Sequence, residues 1–278
     1  MRAAVLGSPV AHSLSPVLHG AAHRAMGLAG WSYGQHECEE DGLAPFLQGL
    51  GADWAGLSLT MPLKRRAMDL ADRVSDLSRA VGGANTLVRV GDGTWDAHNT
   101  DVEGITTALI EAGITAPARA VVLGAGATAA SALAALRELG VGEPVTLLAR
   151  STGRTGEVRE AADRLGVGLE VAELDRIEDH LDTDLVVSTL PSGAADRYRK
   201  ALAASGADLF DVVYAPWPTG AANAVAASGG RVVGGFPMLL HQAVAQVRLM
   251  TGRHDVPVEE MRAAGEAELD RREREDRI

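Results

Sequence analysis

Short apolar runs alternate with Ala/Leu-rich stretches of helical period along the whole chain, and this alternation constrains the fold more than any other feature. Strands separated by helices favour a parallel sheet with helices laid over its faces. Strands are expected over Arg2–Leu6, Trp31–Gln35, Trp54–Leu59, Asn85–Val90, Thr94–Asn99, Ala120–Leu123, Val145–Ala149, Leu169–Ala172, Leu185–Ser188, Leu209–Val213 and Arg231–Val233. Helices are expected over Pro16–Met26, Leu43–Gly49, 65–72, 75–80, 102–112, Thr128–Leu139, Arg154–Leu165 and Met238–Thr251, with a charge-mixed helix after Pro257 that covers a surface. Asn85–Val90 and Thr94–Asn99 read as a hairpin turned at Gly91-Asp92-Gly93. An α/β protein of two domains follows, the second starting near residue 101.

Composition narrows the function classes. Lys plus Arg number 26 against 37 Asp plus Glu, a net charge of −11. Such a chain has no general basic field, so no nucleic-acid partner is expected. No apolar run is long enough for a membrane span. The start Met1-Arg2-Ala3-Ala4-Val5-Leu6-Gly7 reads as a strand and not as a leader, so a cytoplasmic protein is expected. The single cysteine, Cys38, excludes an internal disulfide and a four-cysteine zinc site and is expected to be buried.

Two regions carry chemistry. In Val121-Val122-Leu123-Gly124-Ala125-Gly126-Ala127-Thr128-Ala129 a G-x-G-x-x-A pattern follows a strand and opens a helix. The first glycine suits a tight turn, and the second lets backbone approach a pyrophosphate at the helix N-terminus. An NAD site expects an acid at the end of the next strand to hold the ribose hydroxyl. Here Val145–Ala149 ends in Arg150, with Ser151 and Arg154 behind it, which favours the 2′-phosphate of NADP. Arg150 as a solvated strand end is the alternative.

The first domain places polar groups at strand ends. Gly56-Leu57-Ser58-Leu59-Thr60-Met61-Pro62-Leu63-Lys64 runs from a buried strand into a hydroxyl, a proline and a lysine. Open α/β sheets bind ligands past their strand ends. Taken alone, Lys64 reads as a surface lysine opening the helix that follows; the polar groups at the other strand ends favour a site. Ser13 and Ser15 precede a helix opened by Pro16, so Ser15 is also placed to cap it. Asn85 starts a strand, and Asp101 ends another, where it is also a natural helix cap. Hydroxyl, amide, ammonium and carboxylate groups together suit a polyhydroxylated carboxylic acid.

Seven ordered blocks then resemble one family. They are Gly7-x-Pro9-x-x-His12-Ser13-x-Ser15-Pro16-x-x-His19, Gly56-x-Ser58-Leu59-Thr60-x-Pro62-x-Lys64, Gly83-Ala84-Asn85-Thr86-Leu87, Asn99-Thr100-Asp101-x-x-Gly104, Val122-Leu123-Gly124-Ala125-Gly126, Asp211-Val212-Val213-Tyr214-x-Pro216 and Gly235-x-x-Met238-Leu239-x-x-Gln242-Ala243. Over almost its whole length the chain resembles the shikimate dehydrogenase family.

The resemblance implies a substrate-binding domain over 1–100 with a mainly parallel sheet. It implies a Rossmann-type doubly wound NADP domain over 101–237, and C-terminal helices over 238–278 that return to the first domain. It implies NADP-dependent, reversible reduction of 3-dehydroshikimate to shikimate, a step of chorismate and aromatic amino acid biosynthesis. The small-molecule substrate would be the one partner, in a monomer or homodimer without a metal.

Lys64 and Asp101 match the family's catalytic pair. Ser13, Ser15, Thr60, Asn85, Asp101, Tyr214 and Gln242 match its substrate-binding positions. Gly124, Ala125, Gly126, Ala127, Thr128, Arg150, Ser151 and Arg154 match the NADP loops. Val212 and Gly235 match positions near the nicotinamide, and Asp76 an acidic position close to the cofactor. Ser58 stands where the family usually has Asn, shortening a polar reach near the substrate, and His98 where a small residue is usual. Quinate or aminoshikimate dehydrogenation, with NAD in place of NADP, is the alternative on the same scaffold. A non-catalytic metabolite-binding homologue is a further one, against which the presence of Lys64 and Asp101 speaks.

Overall fold

A computed structural model describes every residue except 92, 143 and 276–278. The chain divides into two compact units, Met1–Thr100 with Leu240–Ile278, and Asp101–Leu239.

The first unit runs β1 (Arg2–Gly7), α1 (Ser15–Ala25), β2 (Ser32–Glu37), α2 (Glu40–Gln48), β3 (Trp54–Leu59), α3 (Arg66–Leu70), β4 (Arg73–Val74), α4 (Asp76–Val81), β5 (Thr86–Arg89) and β6 (Trp95–His98). Its sheet has the order β2-β1-β3-β5-β6-β4. Strands β2, β1 and β3 are parallel, and β4 is parallel to β6. β5 is antiparallel to both its neighbours, so the sheet is mixed. The antiparallel pair is the expected hairpin; residue 92 of its turn lies outside the described residues.

The strand bounds follow from side-chain chemistry. β3 is buried along its whole length, and Pro62 soon after cannot donate to a ladder. β2 lies at the sheet edge and is largely exposed. Leu6, Leu57, Leu59, Leu87 and Trp95 form the core on one face, with Leu43 of α2 and Leu63 against them. Cys38 is buried beside that core. The two-residue β4 escaped the sequence pattern because it exists only through pairing with Asp96 and Ala97.

The second unit runs α5 (Asp101–Glu111), β7 (Ala120–Leu123), α6 (Ala127–Glu138), β8 (Val145–Ala149), α7 (Gly156–Leu165), β9 (Leu169–Glu173), β10 (Leu185–Ser188), α8 (Arg199–Ser205), β11 (Asp208–Asp211), α9 (Gly220–Ala227) and β12 (Val232–Val233). The sheet order is β12-β11-β10-β7-β8-β9, with every pairing parallel. This is the doubly wound Rossmann-type arrangement, and its strand order reverses between β7 and β10. Val121, Leu123, Leu148, Val186 and Leu209 supply much of its core.

α10 (Gly235–Thr251) begins in the second unit, and from Leu240 onward it belongs to the first. α11 (Val258–Glu275) packs on α1, burying Met261 and Gly265. Its charged face is locally paired: Arg271 and Arg272 both reach Glu268 and hold that carboxyl at about 2. Arg272 also donates to the His12 carbonyl at 2.6 Å, tying the helix to the loop before α1. No helix among the described residues is long and apolar enough to cross a membrane.

Gly235 is required where it stands. Its N–H donates to the Val213 carbonyl at 2.9 Å, and a Cβ would overlap the Val212 carbonyl. Gly235→Ala should therefore cost about 1–3 kcal/mol through overpacking. Denaturant midpoints at constant m-value measure this, and an unchanged midpoint would show that the Val212 backbone yields freely.

Candidate functional site

Strand directions concentrate the first unit's polar residues at one edge of its sheet. β1 and β3 end there, β5 starts there, and β6 ends there, because Ser58 pairs with Thr86 and Thr86 with His98. Thr60 leaves β3 with its N–H on the Leu6 carbonyl at 2.9 Å. Gly7 sits so close that a Cβ would overlap the Thr60 methyl and lie 2.8 Å from the Met61 carbonyl.

Lys64 does not open a helix as expected, for α3 begins at Arg66. It occupies the preceding turn, half-buried, and its carbonyl accepts the Ala84 N–H at 2.8 Å. That bond takes the carbonyl out of any helix and ties Lys64 to the segment that carries Asn85. The expected capping by Ser15 is also corrected. Leu14 holds the cap position of α1, and Ser15 is the first helical residue. The hydroxyl of Ser13 accepts the Ser15 N–H at 3.2 Å, fixing the two serines relative to each other.

Asn85 is buried and held on every side. Its N–H donates to the His98 carbonyl at 3.1 Å, and its carbonyl accepts the Leu59 N–H at 2.7 Å. Its side-chain oxygen accepts the Thr100 N–H at 2.8 Å and the Thr86 hydroxyl at 2.9 Å, and its amide nitrogen donates to the Thr100 hydroxyl at 2.9 Å. Asn99 donates to the Gly83 carbonyl at 2.9 Å, closing the same corner.

A residue absent from the sequence reading supports this arrangement. Gln246 of α10, one turn after the buried Gln242, donates to the Thr86 hydroxyl at 3.1 Å and to the Asn85 carbonyl at 3.3 Å. Its oxygen accepts from Ser58 at 2.7 Å and faces His19 Nε2 at 3.2 Å. The i, i+4 spacing of the two glutamines on one helix face was its only sequence signal. Ser58 in turn accepts the Tyr33 hydroxyl at 2.6 Å. Tyr33 stacks on His19 with centroids 3.9 Å apart.

Asp76 stays outside this group. It is exposed at the start of α4, where Ser75 is the cap, and it pairs with Arg79 at 4.0 Å. That is a local helix-start role.

The second unit presents its own constellation. Gly124 follows β7 with φ +104, a left-handed conformation, and a Cβ there would lie 2.6 Å from the Thr189 hydroxyl. Thr189 follows β10 and donates to the Leu123 carbonyl at 2.8 Å, so the loops after β7 and β10 meet at the strand-order reversal. Gly126 is the N-cap of α6, with no side-chain cap and nothing within 4 Å of its Cβ position. Among the described residues no packing demands a glycine at 126, and its open surroundings fit close approach of a phosphate to the helix N-terminus. Ala125, Ala127 and Thr128 complete the loop.

Arg150, Ser151 and Arg154 are exposed at and beyond the end of β8, with Ser151 at the cap and Arg154 at the end of a short 3-10 turn over Thr152–Arg154. These features fit a 2′-phosphorylated dinucleotide. Asp101 is the first residue of α5 and buried. Val212 and Tyr214 lie in the loop after β11, shaped by the buried Asp211, which accepts the Val213 N–H at 3.3 Å and the Thr219 hydroxyl at 3.0 Å. Burial pushes the Asp211 carboxyl up. Among the described residues no cluster of His, Cys, Asp or Glu could hold a metal ion.

Similar known proteins include shikimate dehydrogenases and, at 27% identity and TM-score 0.85, a quinate dehydrogenase of Corynebacterium glutamicum solved in complex with NAD. The family description "Shikimate dehydrogenase substrate binding domain" matches residues 5–87, and "Shikimate 5'-dehydrogenase C-terminal domain" matches residues 235–264. Shikimate dehydrogenase (NADP(+)) of Synechococcus sp. (strain JA-3-3Ab) is 34% identical, with 95% of this chain and 93% of that protein covered. A crystal structure of a Mycobacterium fortuitum shikimate 5-dehydrogenase is 45% identical at TM-score 0.86, covering 95% of this chain and 97% of that one. The Thermus thermophilus enzyme, solved in complex with NADP(H) and shikimate, is 30% identical at TM-score 0.82, covering 96% of this chain and 99% of that one.

His19 makes the buried network pH-sensitive. Burial, aided by the nearby His23 charge and opposed by Gln246, lowers its imidazole to about 3 from an ordinary 6.5. The folded protein refuses a proton that the unfolded chain accepts, so stability should fall as pH drops from about 6.5 towards 3, by up to about 1.4 kcal/mol per pH unit. His19→Gln should flatten the dependence of unfolding free energy on pH between 6 and 4 by that amount. Parallel curves for the variant and the unaltered protein would contradict this.

Proposed function

The chain belongs to the shikimate dehydrogenase family, and on that premise we propose that it interconverts 3-dehydroshikimate and shikimate with NADP(H). The observation that carries the reading is the sheet-edge corner of the first unit, where the Lys64 backbone and the Asn85 amide are tied through Ala84 and Thr100. NADPH supplies the hydride to the C3 carbonyl carbon.

The residues of the chain do the rest. Lys64 donates a proton from Nζ to the C3 oxygen as negative charge develops there, and takes it back in the oxidative direction. Its ammonium also stabilises that charge electrostatically. Asp101, which matches the family's catalytic aspartate, hydrogen-bonds the reacting hydroxyl and assists this proton transfer. Ser13 and Ser15 bind the carboxylate, with help from Tyr214, while Thr60, Asn85 and Gln242 bind ring hydroxyls. A buried site of this kind rejects analogues that lack a hydroxyl, because its polar groups would then lose their partners.

The loop over Gly124–Thr128 receives the pyrophosphate at the start of α6, and Arg150, with Ser151 and Arg154, receives the 2′-phosphate. Val212 and Gly235 would stand near the nicotinamide when the cofactor is bound. Asp76, exposed at the start of α4, takes the family's acidic position close to the cofactor.

Lys64→Ala should lower kcat for shikimate oxidation by roughly 10²–10⁴ while shikimate still binds. Steady-state rates with a binding titration check this; near-normal turnover would remove Lys64 from the chemistry. Arg150→Ala should weaken NADP+ far more than NAD+. Equal weakening of both would mean that Arg150 does not read the 2′-phosphate.

A further inference from the structure

Ser58 replaces the asparagine expected from the family pattern, which suggests a residue that reads substrate directly. Its hydrogen bonds point elsewhere. The hydroxyl oxygen accepts the Tyr33 phenol at 2.6 Å, and its own proton goes to Gln246 Oε1 at 2.7 Å. Ser58 is 3% exposed, so neither bond competes with bulk water.

From there the donor–acceptor sequence has one direction. Gln246 Oε1 is turned towards Ser58 and His19, which leaves its amide nitrogen to donate to Thr86 and to the Asn85 carbonyl. A flipped Gln246 would set two acceptor oxygens against each other at Asn85, so the orientation is specified. With its lone pair used by Gln246, the Thr86 hydroxyl donates to Asn85 Oδ1 at 2.9 Å. His19 braces the middle of the chain by stacking on Tyr33, and its imidazole, kept neutral by burial, presents Nε2–H to Gln246.

We propose that Tyr33, Ser58 and Gln246, braced by His19, are positioning residues that fix the Thr86 hydroxyl against the Asn85 amide and thereby set the affinity for the hydroxylated acid. This inference rests on the proposed function, since Asn85 is a substrate contact only in that reading. Networks of buried hydrogen bonds couple more strongly than isolated pairs. Loss of the Tyr33 hydroxyl frees the Ser58 proton to rotate away from Gln246. The Gln246–Thr86 support of the Asn85 amide then slackens, leaving Thr100 to hold it, without any change at Lys64.

Tyr33→Phe removes one oxygen, Ser58→Ala removes the next, and the double variant removes both. Each single variant should raise the KM for shikimate about three- to tenfold, the scale of one buried hydrogen bond. kcat and the KM for NADP+ should stay within about twofold. The double variant should be no worse than the worse single one, because both break the same chain. An unchanged shikimate KM in active variants, or equal loss in kcat and both KM values, overturns the proposal as a merely structural network. Multiplying effects in the double variant overturn the relay. If Ser58→Ala fails to fold, Tyr33→Phe decides alone. Absence of shikimate turnover by the unaltered enzyme overturns the functional reading and this inference together, whereas turnover with insensitive KM values overturns only the inference.

Discussion

The backbone of Asn85 joins three strands, and the first unit's site depends on that junction. Its carbonyl closes the end of β3 at Leu59, and its N–H closes the end of β6 at His98. An antiparallel β5 makes this possible, because its first residues lie beside the last residues of both neighbours. A purely parallel sheet would have carried the Gly83–Thr86 segment to the opposite edge, away from Thr60 and Lys64. The side chain of Asn85 is then oriented by Thr86 and Thr100, so one residue serves as a strand junction and as a polar group of fixed direction. Polar groups this deeply buried are affordable only when every partner is present.

The second unit uses different means. Its sheet is parallel throughout, and its loops meet where the strand order reverses. Gly124 is demanded by its positive φ and by Thr189, while Gly126 is not demanded by any atom of the described residues. One glycine of the loop shapes the chain, and the other leaves room for a ligand. Gly235 shows a third use, close approach of two backbone segments at the start of α10.

Much of this was legible in the residues. β3, β7, β8 and β10 fall at the expected bounds, because apolar runs flanked by proline, glycine or charge leave little freedom. The G-x-G-x-x-A pattern predicted a strand, a turn and a helix start, and α6 begins one residue from its expected place. The misses have physical causes. α9 is capped by Thr219 directly after Pro218, a signal present but hidden in an alanine-rich run. The helix expected from residue 65 is shorter, because the Lys64 carbonyl bonds across to Ala84. Gln246 passed as part of a helix surface; only long-range packing puts its amide among Ser58, Thr86 and His19. A pattern of apolar positions cannot say which polar residue on a helix will be buried with partners.

The account rests on one chemical claim, that the two polar constellations serve oxidation of shikimate with NADP+. Initial rates of the unaltered enzyme, followed by reduced-nicotinamide absorbance with shikimate or quinate against NADP+ or NAD+, test it most directly. The highest kcat/KM should belong to shikimate with NADP+. A preference for quinate, or for NAD+, would contradict the roles given to the substrate-contact residues or to Arg150 respectively, and no turnover with any pair would contradict the whole reading.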